Sequence, residues 1–350
     1  MKPHVLVARL DSAGDVLLAG PAIRAVAAGS RWVTLLCGPR GREAAELLPG
    51  VDEVHTFLSP WVDHEPPDVR PQTMLELVDW IRGISVDEAI ILTSEHQSPL
   101  PLALLLRMAG VGTIAGTTDD YAGSLLDIRH QVGDRVHEVE RSLSLVGRLG
   151  YRLPAADDGR LRIRRHEGRH ALPPKPFIVV HPGSAAPART WAPSTWGRLV
   201  AGLHERGHRV VVTGSAAEEG LVHAVAGEPR EGVTPLAGGT TLAQLADVLA
   251  GAAVVTVGNT GPAHLAAAGG TPVVSIFAPT VPAHRWKPWR VASEIFGEQQ
   301  IECAGCRATT CPVAGHPCVE TVALKAVMDA AERCAGMAPS MVPEPDEACA

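Results

Sequence analysis

Four turns in this 350-residue sequence combine glycine with side chains that can bind or move charge. The first is Arg9-Leu-Asp-Ser-Ala-Gly-Asp15, between an apolar run at residues 4–9 and an expected helix over 15–28. Gly14 permits close backbone approach. Asp15 reads in two ways. It can cap the helix by satisfying orphan backbone N–H groups. It can also act as a base, because a carboxylate held ionised at a helix start still takes a proton from an acceptor within about 3 Å.

The second turn is His181-Pro-Gly-Ser-Ala-Ala-Pro-Ala-Arg189-Thr-Trp191. Gly183 and Ser184 offer N–H groups and a hydroxyl, and Arg189 a fork suited to phosphate oxygens. An expected helix from residue 193 adds its N-terminal dipole. Together they make either a diphosphate cradle or an ordinary loop with a solvated arginine. In the third turn, Val257-Gly-Asn-Thr-Gly-Pro-Ala-His264, glycines bracket Asn259 and Thr260, and Gly261 opens an expected helix. N–H groups, amide and hydroxyl converge there as a phosphate or sugar would require. His264 either faces that spot or packs inside. The fourth turn runs from Thr213 and Gly214 to Glu218. Its carboxylate can accept from ribose hydroxyls or complement a helix dipole.

The seven cysteines include Cys303, Cys306, Cys311 and Cys318, spaced C-x2-C-x4-C-x6-C. That window can be read as a zinc or iron–sulfur site, but it matches no common template. It can equally be a loop beside Trp286 and Trp289.

To position such turns, a chain needs short apolar strands, each followed by an amphipathic helix. The sequence supplies this alternation twice. Strands are expected at 4–9, 32–37, 53–57 and 88–92, with helices over 15–28, 40–48, 73–83 and 100–109. After a Pro-, Gly- and charge-rich stretch the series restarts. Strands follow at 177–181, 209–213, 254–257 and 272–277, and helices over 193–206, 218–226, 242–250 and 261–269. The expected organisation is a domain over 1–155, a linker over 156–176, a second domain over 177–336 and a disordered tail over 337–350. The fold class is α/β: two Rossmann-like, doubly wound domains facing one another across a cleft.

Composition agrees. Hydrophobic residues make up 46% and charged residues 20%, enough for a core and too apolar for a disordered chain. The net charge of -7 argues against nucleic-acid binding through bulk positive charge. No apolar stretch is long enough to span a bilayer, which leaves peripheral membrane contact open. The N-terminus does not read as a signal peptide, since Arg9, Asp11 and Asp15 interrupt it. A cytoplasmic location is expected.

Taken in order, the turns resemble the ADP-heptose heptosyltransferases of glycosyltransferase family nine. The resemblance is carried by Arg9-Leu-Asp-Ser-Ala-Gly-Asp15-Val-Leu-Leu, Pro182-Gly-Ser with Ala188-Arg-Thr-Trp191, Gly258-Asn-Thr-Gly-Pro-Ala-His-Leu-Ala, and Phe277-Ala-Pro-Thr with Trp286-Lys-Pro-Trp289. The cysteine run is also familiar from many members. The resemblance implies a GT-B fold and inverting, metal-independent transfer from a nucleotide-sugar donor, ADP-heptose, held by the second domain. The donor is a substrate, and no cofactor is implied. Asp15 matches the proposed base, with Ser12 and Gly14 on the acceptor side. Gly183, Ser184 and Arg189 match the diphosphate cradle, where Lys is more usual than Arg. Glu218 matches the acidic ribose contact, with Thr213 and Gly214 also on the donor-binding side, and Thr240 matches a main-chain adenine contact. Asn259, Thr260, Gly261 and His264 match the diphosphate and heptose loop, where many members carry Asp at position 259. The N-terminal half shows no basic cluster for a phosphorylated lipid, so the acceptor is either a lipopolysaccharide core or a small molecule such as a natural product. The alternatives are a nucleotide-sugar epimerase of the same fold and a sugar-nucleotide-binding protein without catalysis.

Overall fold

A computed structural model describes residues 1–63, 65–165 and 172–336. The expected tail at 337–350 and residues 166–171 of the expected linker lie outside them. The described residues form two compact units. One comprises Met1–Arg165 with His284–Trp289; the other comprises the described residues of His166–Ala283 and Arg290–Ala350.

In the first unit the strands are β1 His4–Arg9, β2 Trp32–Cys37, β3 Glu53–Thr56, β4 Glu88–Ile91, β5 Thr113–Thr117 and β6 Ile128–His130. They form a parallel sheet in the order β3-β2-β1-β4-β5-β6. The second unit has β7 Ile178–His181, β8 Val210–Gly214, β9 Val233–Ala237, β10 Val254–Gly258, β11 Val273–Ile276 and β12 Ser293–Phe296. Its parallel order is β12-β11-β10-β7-β8-β9. Counted from each unit's first strand, both sheets read 3-2-1-4-5-6, the doubly wound arrangement. The expected fold class is found.

Central strands are buried on both faces, which is why they read as continuous apolar runs such as Val254-Val-Thr-Val-Gly258. Two clusters fill the units. One packs Leu6, Ile91, Leu102 and Leu106; the other packs Val180, Trp191, Trp196, Leu199 and Ile276. Among the described residues no helix is long and apolar enough to cross a membrane.

One expected element differs. The helix expected over 15–28 is two helices, Ala13–Leu18 and Gly20–Gly29. Pro21 lacks an N–H and its ring would meet the Leu17 carbonyl, so a continuous helix cannot run through it. The start also moves: Ser12 is the N-cap and Asp15 the third helical residue.

In doubly wound sheets, ligands bind beyond the C-terminal strand ends where strand order reverses. Those points lie between β1 and β4 in one unit and between β7 and β10 in the other.

Candidate active site

At the first of these points the turn after β1 meets the loop after β4. Arg9, the last residue of β1, is 2% exposed and surrounded by acids. Its Nη2 lies 2.8 Å from Asp11 Oδ2 and 3.1 Å from Asp15 Oδ1, and it donates to Ser94 Oγ at 2.8 Å. Ser94 passes the bond on to Asp11 Oδ2 at 2.9 Å, and Gln97 Nε2 donates to Asp11 Oδ1 at 2.5 Å. Deeper in, Arg9 Nη1 stands 3.7 Å from Glu138 Oε2. Burial works against the charge of Arg9, but Asp11, Asp15 and Glu138 outweigh it and hold the guanidinium more firmly protonated than usual.

The carboxylates differ in their surroundings. Burial pushes the Asp11 carboxyl up; Arg9 opposes this and Asp15 adds to it. Burial likewise raises Glu138, against Arg9 and Arg141. Asp15 is the most open of the three, its side chain 19% exposed against 6% for Asp11 and 1% for Glu138. It accepts from Arg9 Nη2, from Ser12 Oγ at 2.9 Å and from Trp286 Nε1 at 3.2 Å. The indole arrives on the segment His284–Trp289, which packs as part of the first unit. Arg285 on the same segment pairs with Glu95 at 2.9 Å and stands 3.5 Å from Glu138. Asp15 is thus a fixed, partly exposed carboxylate.

At the second point, the turns after β7, β8 and β10 close on one another. A Cβ on Gly258 would stand 3.0 Å from the Arg189 carbonyl oxygen, so the turns after β7 and β10 touch through glycine. A Cβ on Gly183 would collide with the Glu218 carboxylate. A cavity of about 690 Å³ opens here, lined by Ser184, Thr190, Trp191, Glu218, His316 and Glu320 among others. Its size suits a nucleotide-scale ligand. Thr190 Oγ1 donates to the Pro182 carbonyl and accepts from Trp196 Nε1, both at 2.8 Å, which fixes that wall.

Of the residues matched to the donor side in the sequence, Ser184 and Glu218 line this cavity. Glu218 Oε2 also accepts from Ser215 N and Oγ, both at 2.8 Å, so it closes a capping box as well. Gly214 packs on Val222 and Glu218. Thr213 lies inside, bonded to His181 Nδ1 at 2.9 Å; burial pushes the His181 imidazole down to about 4, which keeps it neutral. Thr240 is half-buried in the turn after β9. Asn259 and His264 are buried. Thr260 stands at the N-cap position of the helix Gly261–Ala268, just after β10, with no side-chain capping bond. Arg189 ends the short turn Pro187–Arg189.

A sequence profile of glycosyltransferase family 9 (heptosyltransferase) matches residues 77–316. The chain belongs to this family. Among curated relatives, lipopolysaccharide heptosyltransferase 1 of Pseudomonas aeruginosa is 33% identical over 63% of the chain and 62% of its own length. The chain therefore aligns with less than two thirds of that relative. Among solved structures, the ADP-heptose lipopolysaccharide heptosyltransferase II of Escherichia coli is similar with a TM-score of 0.70 at 19% identity, over 96% of this chain and 98% of that one. Heptosyltransferase WaaC of E. coli, solved with ADP-2-deoxy-2-fluoro heptose, gives 0.63 at 21% identity, over 85% and 94%. These likenesses show the two-domain GT-B fold expected for a family 9 member.

Sequence reasoning missed the partners of Asp15: Arg9 and Trp286 as donors, and Glu138 and Arg285 behind them. It also missed Thr190, His316 and Glu320 in the cavity wall. Trp286 lay within a quoted motif, but nothing in its spacing tied it to Asp15.

Proposed function

We propose that this family 9 chain is an inverting glycosyltransferase that moves a heptose, or a related sugar, from an ADP-sugar to an acceptor hydroxyl or other nucleophile. The observation that carries this reading is Asp15, a partly exposed carboxylate held by donors from three parts of one unit. Asp15 takes the acceptor proton as the nucleophile attacks the anomeric carbon. The bond from that carbon to the diphosphate breaks and ADP leaves with the negative charge. Arg189, Ser184 and the N–H groups of Thr260 and Gly261 meet that charge. Preorganised donors of this kind stabilise a leaving anion without reorganising, and the first N–H groups of a helix have no partner within it. Glu218 takes the ribose side, Thr240 the adenine, and Asn259 with His264 the sugar. In this reading the chemistry needs no metal ion or cofactor and runs in the cytoplasm.

The acceptor is a carbohydrate of the lipopolysaccharide-core type or a small soluble molecule. The test offers the purified full chain ADP-, UDP- and GDP-sugars, alone and with each acceptor class, and follows nucleotide release and product mass. ADP release that depends on acceptor supports the reading. Conversion of the donor without acceptor would make the protein an epimerase. Tight ADP-sugar binding without turnover across the acceptors would make it a binding protein.

A further inference from the structure

The turn after β1 and the loop after β4 enclose more than the charged lattice around Arg9. Beside it lies a small recess of about 10 Å³, walled by Leu10, Trp61, Val62, Thr93, Gln97 and Leu102 among others. That is room for one group the size of a water molecule or a methyl. Leu10 follows β1 and Thr93 lies just beyond β4, so the recess sits where the strand order of the first unit reverses. Doubly wound sheets bind ligands at such points.

The chemistry of the recess differs from that of the lattice next to it. Arg9, Asp11, Asp15 and Glu138 are charged and engage one another. Among the described residues no charged side chain lines the recess. Aliphatic side chains and the Trp61 indole form most of its wall. The Trp61 ring meets that of Phe57 at 5.7 Å between centroids. Its loop is tied down by Val62 N and Asp63 N, which donate to the Ser59 carbonyl at 3.3 and 3.1 Å.

The polar side chains of the wall are not all engaged. Gln97 is occupied at both ends, its Oε1 accepting from Ser94 N at 3.1 Å and its Nε2 donating to Asp11 Oδ1. Ser98 Oγ accepts from Leu100 N at 3.3 Å. Thr93 is 7% exposed, and its buried Oγ1 has no hydrogen-bond partner. Buried hydroxyls are almost always hydrogen-bonded, and one left alone costs stability. An unpaired hydroxyl in the wall of an uncharged recess marks the place of a ligand's own polar group.

We propose that this recess is an acceptor subsite that takes a methyl group of an uncharged, hydroxylated ring, with Thr93 Oγ1 bonded to a hydroxyl of that ring. The indole and the aliphatic walls favour the methyl over water. A carboxylate or phosphate is refused, because it would lose its hydration with no cation in the wall to replace it. Ser94, next to Thr93, accepts from Arg9, and Arg9 donates to Asp15. The subsite and the candidate base therefore share one set of hydrogen bonds. The inference rests on the proposed transfer in calling the bound ring the acceptor, and it narrows the two acceptor classes to a neutral one.

The experiment measures binding without turnover. The full chain is titrated by ligand-observed NMR with methyl glycosides that differ only at carbon 6, in gluco and galacto configuration: the 6-deoxyhexoside, the hexoside and the hexuronide. They carry a methyl, a hydroxymethyl and a carboxylate there. A 6-deoxyhexoside should bind best, its hexoside about tenfold more weakly, and the hexuronide more weakly still. Thr93→Val should weaken the 6-deoxyhexoside about tenfold, the equivalent of one hydrogen bond. Thr93→Ser keeps the hydroxyl and should bind as the unaltered chain does. If Thr93→Val fails to fold, Trp61→Ala, at a partly exposed position, should abolish the preference for the methyl. Equal binding of the three substituents, preference for the hexuronide, or binding of none overturns the proposal, as does an unchanged preference in both Thr93→Val and Trp61→Ala. Failure of transfer from every ADP-sugar would overturn the proposed function and leave these binding results as they are.

Discussion

Trp286 reaches Asp15 across 271 positions of sequence, its indole Nε1–H donating to Oδ1 at 3.2 Å. The contact lies within the first unit, because the segment bearing Trp286 folds there. A hydrogen bond to a charged group contributes about 1.5–3 kcal/mol, and partial exposure of Asp15 favours the lower end. Trp286→Phe keeps the ring and removes the donor. We expect kcat to fall about tenfold, the equivalent of 1.4 kcal/mol, with ADP affinity unchanged by calorimetry. A kcat equal to that of the unaltered enzyme would show that the indole does not orient the base.

Asp15→Asn tests the base itself. The amide is similar in shape but cannot take a proton, so turnover should fall by about 10²-fold or more. Binding of ADP should persist, since its proposed contacts lie in the second unit. Turnover within a few-fold of normal removes Asp15 from the mechanism.

Glu138 has a different part. It is 1% exposed and lies between Arg9 Nη1 at 3.7 Å and Arg285 Nη1 at 3.5 Å. Removing one side of a buried ion pair costs about 3–5 kcal/mol, because the partner charge stays buried. Glu138→Ala should lower the urea midpoint accordingly with the slope unchanged. A loss below about 1 kcal/mol would mean that Arg9 is sufficiently compensated by Asp11 and Asp15 alone.

The range of these partners explains what could be read in advance. Strands β1, β2, β7 and β10 are central, apolar and bounded by turns, and their pattern survives in the sequence. Three of the four edge strands, β6, β9 and β12, escaped notice, each with only one neighbour to cover it. β9 even carries Pro235, which an edge tolerates and a central strand does not. β5 is central, but Gly116 lies within it, where a Cβ would press on Pro99 at 3.0 Å. The turns at the strand-order reversals were legible through their glycines. The lattice joining Arg9 to Ser94, Glu138 and Asp15 to Trp286 was not, because pairing between residues far apart in the chain leaves no local period.

Gly258 gives a prediction for the donor side. Its missing Cβ allows β10 to touch the Arg189 turn, with 3.0 Å between that would-be atom and the Arg189 carbonyl. The obstacle is main chain, so Gly258→Ala must shift the turn that carries Arg189. We expect the KM for the ADP-sugar to rise about tenfold or more, since small misplacements at a binding site weigh heavily, with kcat changed less. Arg189→Ala should show the same split between KM and kcat. An unaltered KM in both variants would place the diphosphate elsewhere.

His137 supplies a test by pH. Its Nε2 donates to the Lys287 carbonyl at 2.9 Å and its Nδ1 accepts from Val139 N at 3.2 Å, so the neutral ring is specified at both nitrogens. Burial pushes its pKa from 6.5 down to about 4. Between those values the unfolded chain binds the proton and the folded chain does not. Stability from this residue therefore rises with pH across about 4 to 6.5 and falls on acidification through the same window. The full effect is on the order of 3 kcal/mol. Asn serves as an N-cap without titrating, so His137→Asn should retain the start of the helix Glu138–Arg148. The loss of the ring's tilted contact with Trp289, at 4.4 Å between centroids, lowers stability at every pH alike. His181, buried and depressed in the same direction, contributes equally to both proteins and cancels in the comparison. Urea unfolding at steps from pH 7 to pH 4 should thus give a shallower decline for the variant. Parallel curves would mean that His137 binds its proton in the folded protein as readily as in the unfolded chain.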